Sequence, residues 1–217
     1  EPDCSYSNLI EQLAQWNAAD IDEHLVDEAA ATACDVTDLY SIGLPTANDG
    51  TPLVSLGILA VEHDGITTWV PIKGQAQRSK TIQIAVPKAF AEWCPPETDV
   101  SVVLGVSAAP LIAALQGWTQ RQVTPAVPNL AAGLTDVSMA TIGDRLVPAD
   151  AEVRIDGRLI NAGPAPETDE SATNAAWELA CETASVAVEA KAIALRDDPV
   201  VPFTPLEEPL TDDLHMM

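Results

Sequence analysis

Positive charge is scarce in this chain, and part of it is concentrated in one short segment. The chain has ten Lys and Arg residues against 33 Asp and Glu residues. Three of the ten, Lys73, Arg78 and Lys80, lie within the segment WVPIKGQAQRSK. Because basic side chains form charge-assisted hydrogen bonds with anions, this cluster favours contact with an anion or a carboxylate. Surface salt bridges to the chain's own carboxylates are the alternative interpretation.

Other residue types that often carry chemistry are sparse. The chain has three histidines, and none lies between His63 and His215, so a serine hydrolase built inside the main domain would lack its usual base. His63 belongs to the turn EHDG and is interpreted as a solvated turn residue. The four cysteines are far apart and form no CxxC pair, which favours single buried thiols over a zinc site.

The segment GVSAAP follows a predicted strand and precedes a predicted helix. Backbone N–H groups at such a helix start can bind an anion. A plain strand-to-helix turn is the alternative interpretation. The segment therefore predicts a turn, with anion binding as a second hypothesis.

The composition limits the classes of protein. The 217 residues are 47% hydrophobic, enough for one sizeable domain with a packed core. A net charge of −23 repels nucleic-acid phosphates and argues against nucleic-acid binding. It also destabilises the compact state unless it is screened, which predicts a protein that works in strong salt, where the Debye length is about 3 Å. The apolar runs are too short to span a bilayer, so we expect a soluble, cytoplasmic protein with no membrane partner.

The hydrophobic period changes along the chain. The segments SNLIEQLAQW and DIDEHLVDEAAATACD have helical spacing, which predicts a helical N-terminal arm over residues 1–45. From residue 53 onward, LVSLGILAV, ITTWVPI, KTIQIAV and DVSVVLGV predict strands. Helices are predicted over residues 108–116 and 127–134, followed by the strands VSMATI and AEVRIDGRL. The segment TASVAVEAKAIALR fits a strand or a helix equally well.

This order of elements predicts an α+β fold rather than a doubly wound sheet. We expect one main domain over residues 46–217. It ends in an extended Pro-rich tail, DDPVVPFTPLEEPLTDDLHMM.

Several segments in order resemble the UbiD family of prenylated-flavin decarboxylases. LVPADAEVRIDGRL is similar to that family's Val-Pro-Ala turn, acidic residue and strand, and VVLGVSAAPLIAAL is similar to its strand, turn and helix. AIALRDDPVVPFTPLEEPLTDD resembles the exit from the family's central domain, and HDGITTWVPIK resembles the approach to its active-site arginine. The resemblance covers roughly residues 50–213. It implies a split β-barrel related to flavin-binding barrels, with TASVAVEAKAIALR as a strand.

The resemblance also implies a cofactor. Family members bind prenylated flavin mononucleotide (prFMN), whose phosphate is held through a divalent metal and a potassium ion. Asn, His and Glu side chains contact the metal. An arginine between two glutamates of a Glu-Gly-Pro-Phe-Gly-Glu motif moves protons, while the cofactor carries the bond chemistry.

Few of those residues have counterparts here. Alignment on Trp69 puts Thr68 at the metal-binding asparagine and Lys73 at the arginine, and the metal-binding histidine and glutamate have no counterpart. A hard divalent cation needs several oxygen ligands, so the family's metal clamp is predicted to be lost. Lys for Arg keeps the charge but loses the planar fork that binds a carboxylate through two hydrogen bonds.

The glutamate motif is also incomplete. The segment AGPAPE falls on it with Glu167 retained and Ala162 in place of the first glutamate. Glu167 is then the one proton donor that the resemblance implies.

The resemblance therefore gives two sets of candidate residues. The catalytic candidates are Lys73 and Glu167, the cofactor-binding candidates are Thr68, Trp69 and Arg78, and no metal ligand is assigned.

Three functional hypotheses follow. The first is a shortened, catalytically degenerate UbiD-like protein that binds flavin or an anion weakly, or acts as a homo-oligomer or as a partner subunit of a decarboxylase. The second is an active prFMN-dependent carboxy-lyase acting on an unsaturated or aromatic acid. The third is a binding or structural module that shares only the fold.

Overall fold

A computed structural model gives the fold, and it describes Leu25, residues 32–34, Leu44, Thr46, Gly50 and residues 52–76, 80–119, 127–160 and 183–201. Within these residues the chain forms nine strands and three helices. The strands are β1 (Thr32–Cys34), β2 (Leu53–His63), β3 (Ile66–Ala76), β4 (Thr81–Pro87), β5 (Asp99–Leu104), β6 (Met139–Ile142), β7 (Arg145–Pro148), β8 (Val153–Ile160) and β9 (Thr183–Leu195). The helices are α1 (Lys88–Trp93), α2 (Ala108–Thr119) and α3 (Val127–Leu134).

Six antiparallel strands form a closed barrel. The sheet runs in the order β1-β9-β4-β3-β2-β5-β8, and a further pairing of β8 with β9 closes the ring. β1 adds to β9 outside that ring, and β6 and β7 form a separate hairpin. The α+β barrel expected from the sequence is confirmed.

Alternation along each strand explains the two cores. In β8, every second residue is buried, from Val153 to Leu159. Inward-facing residues such as Val70, Ile84 and Ile155 fill the barrel, and Phe90 of α1 packs into the same cluster. The second core lies between the outer face of the barrel and the layer formed by α2, α3 and the β6–β7 hairpin. It contains Ile58, Trp69, Val103, Ala113, Leu130 and Met139. The two periods of the sequence, two for strands and 3.6 for helices, therefore build two stacked apolar layers.

Two short-range features fix the strand register near β3. Asp64 and Gly65, between β2 and β3, both have positive φ, 55° and 75°, as a two-residue type I′ hairpin turn requires. Gly74 lies against β4 so closely that a β-carbon would overlap the carbonyl oxygen of Gln83. Glycine is therefore required at this position by the close approach of the two strands.

Most of the predicted elements are confirmed. All four strands predicted between residues 53 and 106 are present, the two helices lie where expected, and TASVAVEAKAIALR forms β9. The helix predicted to reach residue 35 is wrong at Thr32–Cys34, which pairs with Leu195–Ile193 as β1. Because local spacing cannot detect a distant strand edge, pairing with β9 overrode helical propensity there. The rest of the predicted arm and the Pro-rich tail beyond Val201 lie outside the described residues, and the division at residue 45 stays a prediction.

Cys94, directly after α1, is a free thiol and only 6% exposed. Burial raises the pKa of this thiol, although a hydrogen bond with Thr98 partly opposes the shift. The expectation of a single buried thiol holds for Cys94. Among the described residues, no helix combines the length and apolar character needed to cross a membrane.

Candidate functional site

Strand β3 carries three of the candidate residues, and it divides them between its two faces. Thr68 shares the inward-facing side with Val70, whereas Trp69 and Lys73 share the outward-facing side. This follows from the alternation of side chains along a strand. The structure therefore brings Trp69 and Lys73 to one face and places Thr68 inside the barrel.

Thr68 and Trp69 are wholly enclosed by protein. Both have 0% exposure, and the Oγ1 atom of Thr68 has no hydrogen-bond partner within the described part of the chain. The indole Nε1 of Trp69 donates a hydrogen bond to the backbone oxygen of Leu146, 2.9 Å away in β7. Trp69 thus fastens the β6–β7 hairpin to the barrel wall, a structural role that the sequence did not suggest.

Lys73 differs from these two because part of its side chain is exposed. It pairs with Ala85 of β4, four residues along β3 from Trp69 and on the same face. The other candidates, Arg78 and Glu167, lie outside the described residues. Lys80, which ends the basic segment, is described and exposed. The roles assigned to all five residues stay predictions.

Several basic residues that the sequence did not single out form a network on the outer face of β5 and β8. Arg145 is 8% exposed, and its Nε donates a hydrogen bond to Ser101 Oγ at 3.2 Å. Ser101 Oγ in turn donates to Asp156 Oδ1 at 2.7 Å, and Arg154 Nε donates to Asp156 Oδ2 at 3.0 Å. Arg145 Nη2 lies 4.0 Å from Asp156 Oδ1. The carboxylate of Asp156 therefore partly neutralises two guanidinium groups, one of them buried.

A second group of ion pairs continues along the same face but is open to solvent. Asp99 Oδ1 lies 2.8 Å from Lys191 Nζ and 3.4 Å from Arg158 Nε, and Arg158 Nη1 lies 3.1 Å from Glu97. The hydrogen bond from Lys191 lowers the pKa of Asp99, and the hydrogen bond to Glu97 raises that of Arg158. The side chain of Asp99 is 53% exposed, so water and salt screen these pairs.

The period-two pattern of β8 could have indicated these groups from the sequence. Arg154, Asp156 and Arg158 alternate with buried apolar residues, so all three must lie on one face. Their partners on β5 and β7 could not be predicted from the sequence, because the sequence does not show which strands pair.

Three of the segments that carry the family resemblance meet at one end of the barrel. The backbone N–H of Ser107, just before α2, donates to Asp150 Oδ2 at 3.3 Å. The backbone N–H of Val200 donates to Glu152 Oε2 at 3.3 Å, and Arg196 Nη2 donates to the backbone oxygen of Ala149 at 3.0 Å. VPADAE is therefore a structural corner that joins the start of α2 to the exit from β9.

This corner bears on the anion hypothesis for GVSAAP. The carboxylate of Asp150 already accepts the Ser107 N–H at the helix start, the position that an external anion would take. A β-carbon at Gly105, where φ is 68°, would lie 2.6 Å from the side chain of Glu152. The alternative interpretation, a strand-to-helix turn, fits this close packing.

The turn histidine is less exposed than the sequence suggested. His63 ends β2, its side chain is 23% exposed, and its Nε2 lies 3.5 Å from Asp64 Oδ2. The imidazole meets the indole of Trp93 edge-on, with ring centroids 5.1 Å apart. A packed aromatic contact, rather than full solvation, explains its position.

Neither Thr68 nor Trp69 has exposed surface to offer a flavin. A side chain without exposed surface cannot contact a ligand outside the core unless the core rearranges. Among the described residues, no group of three or more His, Cys, Asp or Glu side chains is arranged to hold a metal ion. Among the described residues of the basic segment, Lys73 and Lys80 both have surface to offer an anion.

The architecture defines a class of protein: a closed six-stranded antiparallel barrel covered on one side by helices. Solved structures of UbiD-class enzymes have a similar fold. The evolved dimeric form of the UbiD-class enzyme HmfF from Pelotomaculum thermopropionicum, in complex with prFMN, matches 92% of this chain with a TM-score of 0.63 at 18% identity. Vanillic acid decarboxylase from Sedimentibacter hydroxybenzoicus, in an open form, matches 100% of it with a TM-score of 0.62 at 14% identity. Apo 3,4-dihydroxybenzoic acid decarboxylase (AroY) from Klebsiella pneumoniae matches 91% with a TM-score of 0.52 at 14% identity.

The chain is thus a structural relative of the UbiD-class enzymes, as the sequence resemblance implied. At these identities the likeness establishes the fold. The matched region is 50% of the HmfF chain, 50% of the vanillic acid decarboxylase chain and 47% of the AroY chain, so this chain spans about half their length. No protein-family model and no curated protein gives a significant sequence match.

Proposed function

We propose that this chain is a UbiD-like barrel without decarboxylase activity of its own. It works in the salt-rich cytoplasm of its cell as a subunit, either in a homo-oligomer or beside a decarboxylase chain. It retains at most weak binding of a flavin or another anion near Lys73, Arg78 and Glu167.

The complete burial of Thr68 and Trp69 is the observation that carries this proposal. These residues stand where the resemblance implies contacts with the cofactor. In this chain one faces the barrel interior and the other holds the β6–β7 hairpin through Leu146. Their side chains are therefore used for packing, which supports a barrel whose cofactor-binding side has become structural.

The chemistry of Lys73 supports the same conclusion. An ammonium group attracts a carboxylate or a phosphate as a point charge, but it lacks the two parallel N–H donors with which arginine fixes a planar group. Binding at this position would be weak, and screened further by strong salt. Such a contact suits retention of an anion better than the orientation of a substrate for bond cleavage.

An active prFMN-dependent carboxy-lyase is the second candidate, because HmfF structures with the same fold contain prFMN in one case and FMN in another. In this alternative, Lys73 would bind the carboxylate of an unsaturated or aromatic acid, and Glu167 would supply the proton. The missing metal contacts would have to come from another chain.

A cofactor-loading experiment separates the two candidates. The chain would be co-produced with a flavin prenyltransferase, purified in molar salt, and measured by native mass spectrometry and absorbance. We expect a colourless chain without stoichiometric flavin, and at most weak FMN binding that Lys73→Ala reduces. Lys88→Ala is the matched control, since it removes one positive charge from an exposed position on α1.

Stoichiometric prFMN, with turnover of an aromatic or unsaturated acid that Lys73→Ala and Glu167→Ala abolish and Lys88→Ala preserves, would replace our proposal with the enzyme. FMN binding that responds equally to Lys73→Ala and Lys88→Ala would refute the anion site while leaving the absence of activity intact.

A further inference from the structure

Two arginine side chains, Arg145 and Arg154, share one carboxylate on the outer face of β8 and are called the arginine pair below. Arg154 Nε lies 3.0 Å from Asp156 Oδ2, and Arg145 Nη2 lies 4.0 Å from Asp156 Oδ1. Arg145 also has Asp144 Oδ1 at 3.5 Å, but the Asp144 side chain is 68% exposed and is screened by water and salt. In the described part of the chain, neither guanidinium group has a further carboxylate within 4.0 Å. The arginine pair therefore has an excess of positive charge in a chain whose net charge is −23.

This excess charge is largely shielded from water. The side chains of Arg145 and Arg154 are 10% and 18% exposed, and that of Asp156 is 22% exposed. A partly buried charge without a matching counter-charge lowers stability, unless a ligand supplies the counter-charge. Acidic residues outnumber basic ones 33 to ten in this chain, so a second carboxylate partner would have been easy to provide. An external anion explains why none is present.

The terminal nitrogen atoms of the arginine pair have hydrogen-bonding capacity to spare. An arginine side chain carries donors on Nε, Nη1 and Nη2. Arg145 directs Nε to Ser101 Oγ at 3.2 Å, whereas its Nη2 lies too far from Asp156 for a hydrogen bond, at 4.0 Å. Arg154 directs Nε to Asp156, and within the described part of the chain its two Nη atoms have no hydrogen-bond partner. None of these Nη atoms is among the buried side-chain atoms that lack a partner in the described residues, so they keep accessible surface.

Small side chains flank the arginine pair on the β9 side. The register of β8 and β9 places Ala194 beside Arg154 and Ala192 beside Asp156. Both alanines point to the outer face, because Ile193 between them belongs to the barrel core. Ala192 is exposed. A methyl group leaves space that a longer side chain would fill, so a small molecule can approach the guanidinium groups from this side.

Charge and geometry indicate the class of anion. One excess positive charge is matched by one negative charge, whereas a doubly charged phosphate or a polyanion would add negative charge to a chain that already repels it. A guanidinium group offers parallel N–H donors that match the two oxygens of a carboxylate. The arginine pair therefore fits a small monocarboxylic acid better than phosphate, nucleic acid or an acidic protein.

We propose that Arg145 and Arg154 bind the carboxylate of a small monocarboxylic acid on the outer face of β8. Ser101 and Asp156 are positioning residues, because each holds one Nε atom and leaves the terminal nitrogens to the ligand. This site goes beyond the proposed function, since β2 and β5 separate β8 from β3, the strand that carries Lys73. The presence or absence of flavin does not affect its test.

An NMR titration of the wild-type chain tests this site. Potassium acetate replaces KCl at constant ionic strength, and the arginine Nε–H resonances are followed. We expect saturable shifts at Arg145 and Arg154 with one shared dissociation constant. Arg154→Lys keeps the charge but loses the planar fork, so the dissociation constant measured at Arg145 should rise by about tenfold. Arg158→Lys is the matched control on the same face and should leave the constant unchanged, because Arg158 pairs with Glu97 and Asp99.

Circular dichroism of each variant establishes that it is folded. If Arg154→Lys unfolds, Ala192→Leu takes its place, since it fills the space on β9 without changing the charge and should also weaken acetate binding. Shifts that are absent or do not saturate overturn the proposal, because acetate is then not distinguished from chloride. So does an Arg158→Lys variant that weakens binding as much as Arg154→Lys. A glutamate-rich peptide that binds more tightly than acetate at equal carboxylate concentration would overturn the choice of a small acid.

Discussion

The partly buried network around Asp156 gives a quantitative test of how this acidic protein uses its few positive charges. Asp156→Ala removes the acceptor of the Ser101 hydroxyl and a carboxylate that lies 4.0 Å from the buried guanidinium of Arg145. Arg145 would keep Ser101 Oγ and the exposed carboxylate of Asp144 at 3.5 Å. Removing one member of a buried pair costs about 3–5 kcal/mol, because the other charge is left without compensation. The side chain of Asp156 is 22% exposed, so we expect about 3 kcal/mol, at the lower end of that range.

Asp99→Ala is the matched control on the same face. Asp99 has a shorter ion pair than Asp156, 2.8 Å to Lys191, and a second partner in Arg158. Its exposure is more than twice as large, however, and exposed pairs are worth less than about 1 kcal/mol. If burial determines how much an ion pair stabilises the fold, Asp99→Ala should lower the free energy of unfolding by less than about 1 kcal/mol, and this loss should be smaller still in molar salt.

The assay is urea unfolding in 0.2 M and 2 M KCl, followed by tryptophan fluorescence, with each free energy of unfolding obtained by linear extrapolation. Urea is uncharged, so it leaves the ionic strength under control. The double variant Asp156→Ala/Arg145→Met completes a double-mutant cycle. Its loss of unfolding free energy should be smaller than the sum of the two single-variant losses by about 1–3 kcal/mol. Equal losses of unfolding free energy for Asp99→Ala and Asp156→Ala would contradict this account, and so would a loss for Asp156→Ala that disappears in 2 M KCl.

Three further predictions concern single groups. Lys191 lowers the folded-state pKa of Asp99, so the contribution of Asp99 to stability is present above the unfolded pKa of about 3.9 and is lost as the pH falls through the folded pKa. Lys191→Ala should therefore raise the Asp99 pKa in a carboxyl NMR titration. An unchanged pKa would contradict the pairing. Cys94 has a buried thiol with a raised pKa, so iodoacetamide at pH 8 should modify it only as fast as the chain opens; rapid labelling in peptide mass mapping of the folded protein would contradict this burial. Gly74→Ala should lower stability by more than about 3 kcal/mol because its β-carbon meets the Gln83 carbonyl, whereas Gly143→Ala, with open space around it and φ of 64°, should cost about 1 kcal/mol in the same denaturation assay.

The sequence predicted the barrel strands well because each is a local pattern. β-Branched residues alternating around turn residues define β2 to β5, and the Asp64–Gly65 turn follows from its own two residues. Composition could not decide between strand and helix for β9, since alanine fits both. Pairing of β9 with β4 and β8 decided it, and the resemblance to UbiD proteins had pointed to the same answer.

The candidate site was less predictable. The resemblance singled out Lys73 and Trp69 from the sequence, but it could not show that Trp69 would be covered by the β6–β7 hairpin. The network of Arg145, Ser101 and Asp156 joins three segments that are far apart in the chain, so no local pattern announced it.

Charge, the alternation within each strand and the motifs that resemble the UbiD family can be read from the sequence, because these features depend on composition and on neighbouring residues. Tertiary structure alone decided which side chains are buried together. Thr68 was enclosed by closure of the barrel, and Asp150 met the start of α2 because β8 runs beside β5. Burial and pairing depend on contacts between distant segments, and those contacts determine whether a charged or polar group packs, pairs or stays open to a ligand.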